Sequence, residues 1–289
     1  MRTWAALPGG ASMEHMTGLD RTENPIVVLG ATGTTGSRVA ALLEDAGRAV
    51  RRASRRSEWR FDWGDPASWG PVVSGAAGVY VVLPEEPMDL HPFIETLDRA
   101  GVSQVVVLTA RNPEVSGDGI AAGAERAFAA ADAASTFLRP SWFSQGFIDG
   151  LFAAQLDATG ELRLPTGDGG EPFIDAADIA RVAARLLLDG TGPTHVELSG
   201  PEVLTFAEAV EIVARRTDRT LRYVHVEPAE WAASVADYLP PRMVGALGNL
   251  FAAIRDGRDA YLSPGVSEVL GVPPQSLGAV VDRSAEFRR

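Results

Sequence analysis

The sequence contains neither cysteine nor lysine. All 26 basic residues among its 289 are therefore arginine. Without cysteine the chain has no disulfide, no thiolate nucleophile and no cysteine-ligated zinc or iron–sulfur site. Without lysine it cannot use a Schiff-base amine or a Walker-type phosphate lysine. Arginine remains available for bidentate recognition of phosphate groups.

Long apolar runs are also missing. No stretch approaches the roughly 18 apolar residues that a membrane-spanning helix needs, and residues 1–24 lack the apolar segment of a signal peptide. We expect residues 1–24 to be a disordered extension. The net charge is −12, which disfavours nucleic acid and anionic membranes as partners. We expect a cytoplasmic protein that takes a small-molecule substrate and is a monomer or a homodimer.

Short apolar runs alternate with helical patterns over the first two thirds of the chain. The runs at 26–29, 78–83 and 104–109 are typical of buried parallel strands. This alternation predicts an α/β protein with a doubly wound parallel sheet, the Rossmann fold. Residues 25–150 would form its core, completed by about 171–199. Residues 151–170 and 200–289 would form a smaller, mostly helical substrate subdomain or lid.

Three glycines lie in the predicted turn between the first strand and the first helix. Gly30, Gly33 and Gly36 form a Gly-x-x-Gly-x-x-Gly motif. Such glycines permit a tight turn, a close approach of the backbone to a pyrophosphate, and close packing of helix on sheet. The helix N-terminus adds free N–H groups and the positive end of a dipole. We predict that this loop binds a dinucleotide.

The second strand indicates which dinucleotide is preferred. It ends in Ser54, Arg55 and Arg56, with no carboxylate before Glu58. A carboxylate here would bind a ribose 2′-hydroxyl, whereas arginine accommodates a 2′-phosphate. We therefore predict NADP(H) in preference to NAD(H), the alternative being a solvated basic run. Asp62 and Trp63 follow the third strand and are predicted to border the adenine, although Asp62 could equally cap a turn.

Several of these segments together resemble the NmrA-like family of atypical short-chain dehydrogenase/reductases. The segments are residues 30–36, 54–56, 101–109, 138–143 and 172–180. Residues 61–63 and 199–202 further resemble a bacterial branch similar to the ergot-alkaloid festuclavine dehydrogenase proteins. The resemblance covers about residues 25–285, and it implies an oxidoreductase of secondary metabolism.

The resemblance also implies roles for individual residues. Leu83 and Pro84 would lie beside the cofactor ribose, and Thr109 and Ala110 would approach the nicotinamide ribose. The residues implied on the pyrophosphate are Thr32, Gly33, Thr34 and Thr35, and those implied as the wall of the nicotinamide and substrate pocket are Pro140, Ser141, Trp142 and Phe143. Trp142, Phe143 and Phe147 are predicted either to line the substrate pocket or to belong to the core. Asp175 and Asp178 are interpreted as helix caps and loop ties.

One departure from the family pattern limits the chemistry. Short-chain dehydrogenases usually carry Tyr-x-x-x-Lys, but this chain has no lysine, and none of its four tyrosines lies in the predicted helix 121–133. An iminium accepts hydride without a protein acid, and a quinone needs only hydrogen-bond donors, for which Thr109 and Ser141 are candidates. We therefore predict an NADPH-dependent reductase of an imine, a quinone or a similarly activated conjugated acceptor. Two alternatives stay open: a non-redox cyclase or isomerase, and an NADP-binding sensor.

Overall fold

The computed structural model describes residues 24–286, so the predicted extension lies, apart from Asn24, outside the described residues. Eleven strands are present in this part of the chain. They are β1 (Ile26–Leu29), β2 (Val50–Ser54), β3 (Trp59–Arg60), β4 (Gly78–Val82), β5 (Gln104–Leu108), β6 (Ala134–Pro140), β7 (Glu161–Leu164), β8 (Gly170–Glu171), β9 (His195–Leu198), β10 (Leu204–Thr205) and β11 (Arg222–His225).

Eleven α-helices accompany these strands within residues 24–286. They are α1 (Gly36–Asp45), α2 (Trp69–Val73), α3 (His91–Arg99), α4 (Ile120–Phe128), α5 (Leu151–Thr159), α6 (Ala176–Asp189), α7 (Phe206–Thr217), α8 (Pro228–Val235), α9 (Pro241–Arg255), α10 (Gly265–Leu270) and α11 (Leu277–Glu286). None of the described helices is long and apolar enough to cross a membrane.

Seven parallel strands form the central sheet, in the order β3-β2-β1-β4-β5-β6-β9. The first six positions follow the order of the doubly wound dinucleotide-binding fold, so the predicted fold class is confirmed. The order reverses between β1 and β4, which pair in parallel. Ligands of such sheets bind at this reversal, beyond the carboxyl ends of the strands. A ligand is therefore expected to contact the loops that follow β1, β2, β4, β5 and β6.

Each face of the sheet is covered by helices. The apolar sides of α2, α3 and α4 pack on one face, and those of α1, α6 and α10 pack on the other. The strands between them are buried on both sides, which explains their unbroken apolar runs. α10 lies within the stretch predicted as the lid, yet its Val266 belongs to this sheet core.

A third apolar core lies in the remainder of the chain. Its large side chains come from α5, α7 and α9, from the turn before α5 and from the segment after β8, and they include Phe147, Phe152, Phe173, Phe206 and Phe251. Two small sheets accompany this core: β7 pairs in parallel with β11, and β8 pairs antiparallel with β10. A capping box starts α7, in which Thr205 and Glu208 each accept a hydrogen bond from the other's backbone N–H.

Candidate active site

The glycine loop takes the geometry that its sequence predicts. Gly30 has φ +68°, a left-handed conformation that side chains disfavour. A Cβ atom added to Gly36 would overlap the Gly30 carbonyl oxygen, so no other residue fits there without movement of the backbone. The amide of Gly33 donates to that same carbonyl at 2.8 Å. The turn between β1 and α1 is therefore as tight as dinucleotide binding requires.

The outer side of this loop is exposed and offers backbone donors. Thr32, Gly33 and Thr34 are exposed, and the amides of Thr32 and Thr34 have no hydrogen-bond partner among the described residues. Both lie just before the N-terminus of α1, where bare N–H groups and the helix dipole favour an anion. These observations fit the pyrophosphate of a dinucleotide.

Thr35 lies on the inner side of the loop. The buried Tyr80 hydroxyl donates to Thr35 Oγ1 at 3.0 Å and so ties the loop to β4. Burial raises the pKa of Tyr80, which keeps the phenol neutral and able to donate. The Thr35 hydroxyl is engaged in the core, and the Thr35 amide has no hydrogen-bond partner among the described residues, so the backbone N–H is the group left for an anion.

The basic run on β2 divides into two pairs of arginines. Arg51 donates to the carbonyls of Val72 at 2.8 Å and Ser74 at 2.6 Å, and Arg52 forms a bidentate pair with Glu44. Arg55 and Arg56, beyond the end of the strand, are exposed and form no ion pair within residues 24–286. The first pair stabilises the fold, and the second pair is free to bind an anion beside the glycine loop.

Ser54 lies at the end of β2 between these two pairs. It is buried, and its hydroxyl oxygen accepts weakly from the amide of Arg56 at 3.4 Å. It therefore shapes the turn that presents Arg55 and Arg56. Its own contact with a phosphate stays a prediction.

Asp62 and Trp63 have defined partners of their own. Asp62 Oδ1 accepts from the amide of Gly64 at 3.0 Å, so the carboxylate caps a turn, the second of its two predicted roles.

Trp63 Nε1 donates to the carbonyl of Val82 at 3.3 Å, at the carboxyl end of β4. Leu83 packs against the same apolar cluster as Trp63, and Pro84 follows it, half-buried. The two loops meet beside the reversal point, and their contacts with adenine and ribose stay predictions.

Thr109, the catalytic candidate, is engaged in hydrogen bonds at the end of β5. Its hydroxyl lies 3.0 Å both from Glu125 Oε1 and from the carbonyl of Leu138. Burial acts to raise the pKa of Glu125, but hydrogen bonds from Arg139 and Thr109 outweigh it and hold this pKa below its usual value. An ionised carboxylate therefore competes for the Thr109 proton. A role as donor to a substrate stays a prediction for Thr109, as does a cofactor contact for the half-buried Ala110.

A charged groove of about 540 Å³ runs along α4, where the Tyr-x-x-x-Lys pair would belong. Its guanidinium groups all have carboxylate partners: Arg139 pairs with Glu125, Arg126 with Glu114, and Arg258 with Asp256. None of the predicted wall residues 140–143 lines this groove.

The predicted substrate wall follows β6 and is largely packed. Pro140 and Ser141 are buried, and the Ser141 hydroxyl donates to the carbonyl of Pro172 at 2.5 Å. The Trp142 ring stacks on two others, with centroids 5.5 Å from Phe152 and 5.5 Å from Phe251. This half-buried indole is therefore held by core rings, and its contact with a substrate stays a prediction.

The two phenylalanines after Trp142 differ in burial. Phe143 is half-buried against the sheet core, and Phe147 is 4% exposed within the third core. Phe147 therefore belongs to the core, which is one of the two roles predicted for it. Its contact with substrate stays a prediction.

Helix α9 lies over the loops that follow β4 and β5. Arg242, near its start, donates to the carbonyl of Glu85 at 2.9 Å and pairs with Glu86 at 2.7 Å. Asn249 donates to the carbonyl of Ser116 at 3.0 Å. The helix thus packs on loops at the carboxyl edge of the sheet, and its role as a lid stays a prediction.

The two aspartates of residues 172–180 tie helices together. Asp175 caps α6 by accepting from the amide of Ala177 at 3.0 Å, and it also pairs with Arg283 at 2.6 Å. Asp178 accepts from the amide of Gln275 at 2.6 Å. Their interpretation as caps and ties is confirmed. Among residues 24–286 no cluster of His, Asp or Glu could hold a metal ion.

Sequence reasoning missed a buried arginine directly after the predicted nicotinamide contacts. Arg111 is 5% exposed. It donates to the carbonyls of Asp259 and Tyr261, at 3.2 and 2.8 Å, and stacks on the Tyr261 ring at 4.2 Å. Because its partners lie 148 residues or more away in the chain, no local pattern indicates this contact.

Glu171 was also missed. It lies on β8, is 0% exposed, and its Oε1 accepts from the amide of Trp142 at 2.9 Å. Its Oε2 has no hydrogen-bond partner among the described residues. Burial raises the pKa of Glu171 to about 8. The only signal in the sequence is a glutamate beside an apolar Pro-Phe-Ile segment, which suggests burial without indicating a partner.

Comparison with known proteins finds relatives along nearly the whole chain. The uncharacterised oxidoreductase YesF of Bacillus subtilis (strain 168) is 34% identical over 278 residues, covering 92% of this chain and 96% of that protein. The agroclavine dehydrogenase of Claviceps fusiformis is 31% identical over 280 residues, covering 89% of this chain and 96% of that protein. A scan against models of protein families finds no match.

Solved structures share the fold. The NADPH-dependent quinone oxidoreductase of Escherichia coli aligns with a TM-score of 0.73 at 20% identity, over 91% of this chain and 100% of that chain. The strand order, the glycine loop and the relatives above 30% identity agree with one another. The chain is an oxidoreductase and belongs to the NmrA-like family of atypical short-chain dehydrogenase/reductases, as its motifs predict.

Proposed function

We propose that this oxidoreductase uses NADPH to reduce an activated small molecule: an imine or iminium, a quinone, or a similarly conjugated acceptor. One observation carries the proposal. The ends of the paired strands β1 and β2 bring together the glycine-loop amides and the two exposed arginines Arg55 and Arg56. Within residues 24–286 the Thr32 and Thr34 amides have no hydrogen-bond partner and the two arginines have no ion-pair partner. Amides suit a pyrophosphate and arginines suit a 2′-phosphate, and NADP(H) carries both.

The cofactor, when bound, supplies the hydride. The residues of this chain would hold and orient it. Thr32, Gly33 and Thr34 would bind the pyrophosphate, with Gly30 and Gly36 permitting the turn. Ser54, Arg55 and Arg56 would surround the 2′-phosphate, and α9 would exclude water by lying across the strand ends.

The tyrosines favour an activated acceptor over an ordinary ketone. Tyr80 is buried on Thr35, Tyr223 is bonded to the carbonyl of Leu164, Tyr238 is 82% exposed, and Tyr261 stacks on Arg111. A ketone needs a proton from the protein as hydride arrives, and none of these phenols lies in α4. The name of a structural neighbour, a quinone oxidoreductase, supports the quinone class, and the name of a relative, an agroclavine dehydrogenase, supports redox chemistry on a small molecule.

The test is NADPH oxidation by the purified protein, followed at 25 °C with a quinone, a preformed iminium and a simple ketone. We expect turnover with the first two and little with the ketone. Tight NADPH binding with no turnover of any acceptor would contradict the proposal and favour the sensor alternative. Product formation from a substrate without change in the NADPH signal would favour the non-redox alternative. The oligomeric state stays a prediction of monomer or homodimer.

A further inference from the structure

The groove along α4 has the volume and the lining of a small-molecule site. Its volume of about 540 Å³ is within the range of such sites. Pro113 and Val115, from the loop after β5, and Ala122, from α4, give it an apolar wall. Three arginines and two glutamates supply the charges along it. An apolar wall with a few placed charges suits an organic molecule that carries an ionised group.

The groove lies beside the strand ends where the nicotinamide is predicted to bind. Glu125, one of its lining residues, has its Oε1 3.0 Å from the hydroxyl of Thr109. Arg139, another, directly precedes the predicted wall 140–143. Because β5 and β6 are adjacent parallel strands, an acceptor whose reacting atom lies at their carboxyl ends can extend into the groove.

The floor of the groove is electrically balanced. Glu125 and Arg139 form a bidentate pair there, in which Arg139 Nε donates to Glu125 Oε1 at 2.9 Å. Their side chains are only 10% and 23% exposed. Each charge therefore has its partner within the protein, and the pair gives the floor a fixed shape.

The rim of the groove carries two arginines that are held loosely. Arg258 lies 3.8 Å from Asp256, too far for a hydrogen bond, and Arg255 reaches the same carboxylate at 3.3 Å. Arg126 pairs with Glu114 at 3.0 Å, but these two side chains are 68% and 75% exposed. Exposed pairs of this kind contribute little to stability. Both rim guanidinium groups can therefore turn to a ligand at small cost.

The charges around the rim leave an excess of one positive charge. Three guanidinium groups share two carboxylates there: Arg126, Arg255 and Arg258 against Glu114 and Asp256. The whole chain has a net charge of −12, so this local excess is opposite in sign to the protein as a whole. One surplus positive charge matches a monoanion, and a guanidinium matches a carboxylate with two parallel N–H donors.

We propose that this groove binds a carboxylate of the acceptor, an inference that rests on the proposed reductase function and narrows its substrate class. The preferred substrate is an activated, conjugated acceptor whose carboxylate lies between Arg126 and Arg258. Arg126 lies on α4, and Arg258 lies three residues beyond the end of α9. The bound carboxylate therefore joins two elements of the site and orients the reacting end of the acceptor towards the ends of β5 and β6.

Two quinones that differ in one charge test this inference. A naphthoquinone with a propionate side chain carries the acid, and its methyl ester is a neutral analogue of similar shape and reactivity. We expect kcat/KM of the wild-type protein to be at least about tenfold higher for the acid than for the ester. The net charge of −12 repels the acid at long range, so this preference has to come from cations at the site.

Replacing both rim arginines by glutamine should remove the preference. In Arg126→Gln/Arg258→Gln we expect kcat/KM for the acid to fall about 10- to 100-fold, and that for the ester to change less than about twofold, as loss of charge-assisted hydrogen bonds predicts. The matched control is Arg185→Gln/Arg215→Gln. It removes the same charge from exposed pairs on α6 and α7 and should leave both values unchanged.

A reversed charge separates recognition of the carboxylate from a structural role. Arg258→Glu should reduce a naphthoquinone with a trimethylammonium side chain at least about threefold faster than wild type does, and the acid more slowly. A merely structural arginine would slow both when replaced. The dissociation constant for NADPH should stay within about twofold of wild type in these variants, because none of the predicted cofactor contacts lines the groove.

The outcomes are distinguishable from those for the proposed function. A wild-type protein that oxidises NADPH with none of these quinones would overturn the proposed function and this inference together. A wild-type protein that reduces the acid and the ester equally well would overturn this inference alone, as would a double glutamine variant that slows both to the same extent. Slowing of every quinone by Arg258→Glu would likewise overturn it.

Discussion

Gly36 lies against the carbonyl oxygen of Gly30, and a Cβ atom at Gly36 would overlap that oxygen. The contact brings the first turn of α1 onto the end of β1. Between the two glycines, Thr32 and Thr34 are exposed, and their amides have no hydrogen-bond partner among the described residues. The closeness of these two residues therefore produces the anion-binding geometry of the loop.

Gly36→Ala should consequently disturb cofactor binding more than an ordinary helix substitution does. The methyl group must push α1 away from β1, which displaces the amides of Thr32 and Thr34. We expect the dissociation constant for NADPH, measured by calorimetry, to rise at least tenfold. Gly245→Ala is the control, because a Cβ there meets nothing within 4 Å and lies inside α9. Equal affinity of both variants would contradict the assigned loop geometry.

The two arginines that follow β2 allow a test of cofactor preference. Replacing Arg55 and Arg56 together by alanine should weaken NADPH binding about 10- to 100-fold and change NADH binding less than about twofold, because NADH lacks the 2′-phosphate. Arg52→Ala is the control: it removes an exposed pair with Glu44, worth at most about 1 kcal/mol of stability. Equal losses for both coenzymes in the double variant would remove the phosphate assignment.

The sequence was sufficient for the sheet, the glycine loop and the helix caps because these depend on local patterns. Buried parallel strands are continuous apolar runs, and Gly30, Gly33 and Gly36 are required by the backbone of one turn. Asp175 caps α6 from within two residues. Such features can be recognised without knowledge of distant contacts.

The polar interior of the site could not be predicted in the same way. Glu125 fixes Thr109 across 16 residues, Glu171 holds the Trp142 amide across 29, and Arg111 reaches the carbonyl of Asp259 across 148. Each pairing depends on how elements distant in the chain pack together: α4 against the end of β5, β8 against the loop after β6, and the segment after α9 against the loop after β5. Pattern and spacing do not encode that packing, so the predicted role of Thr109 takes no account of the neighbouring Glu125 carboxylate.

The contact between Arg242 and the loop after β4 allows a test of the lid. Arg242→Ala would remove the bonds to Glu85 and Glu86 that help to hold α9 over the strand ends. We expect the rate of NADPH dissociation in stopped-flow fluorescence to rise about three- to tenfold, with thermal stability almost unchanged because the pair is partly exposed. Arg215→Ala, which breaks an exposed pair with Glu211 on α7, should leave this rate unchanged. An unaltered rate in Arg242→Ala would contradict a closing role for α9.

The burial of Glu171 predicts a pH-dependent stability that can be measured without cofactor. The folded-state pKa is about 8, against 4.5 for an ordinary glutamate. Between these values the folded protein holds a proton that the unfolded chain has released. The contribution of Glu171 is therefore most favourable at low pH and is lost as the pH rises towards 8. Glutamine does not titrate, so Glu171→Gln should gain stability relative to wild type over this interval, by at most about 5 kcal/mol.

Urea unfolding of wild type and Glu171→Gln at pH 5, 7 and 9 would measure this difference. The free energy of unfolding should favour the glutamine variant increasingly from pH 5 to pH 7, with a smaller further increase by pH 9. Glu95→Gln should differ from wild type by nearly the same small amount at all three values, because its carboxyl is exposed. A constant difference for Glu171→Gln would mean that the carboxyl has an ordinary pKa, and the case for a neutral acid at this site would fail with it. The comparison needs only the difference between two proteins at each pH, so other titrating groups cancel.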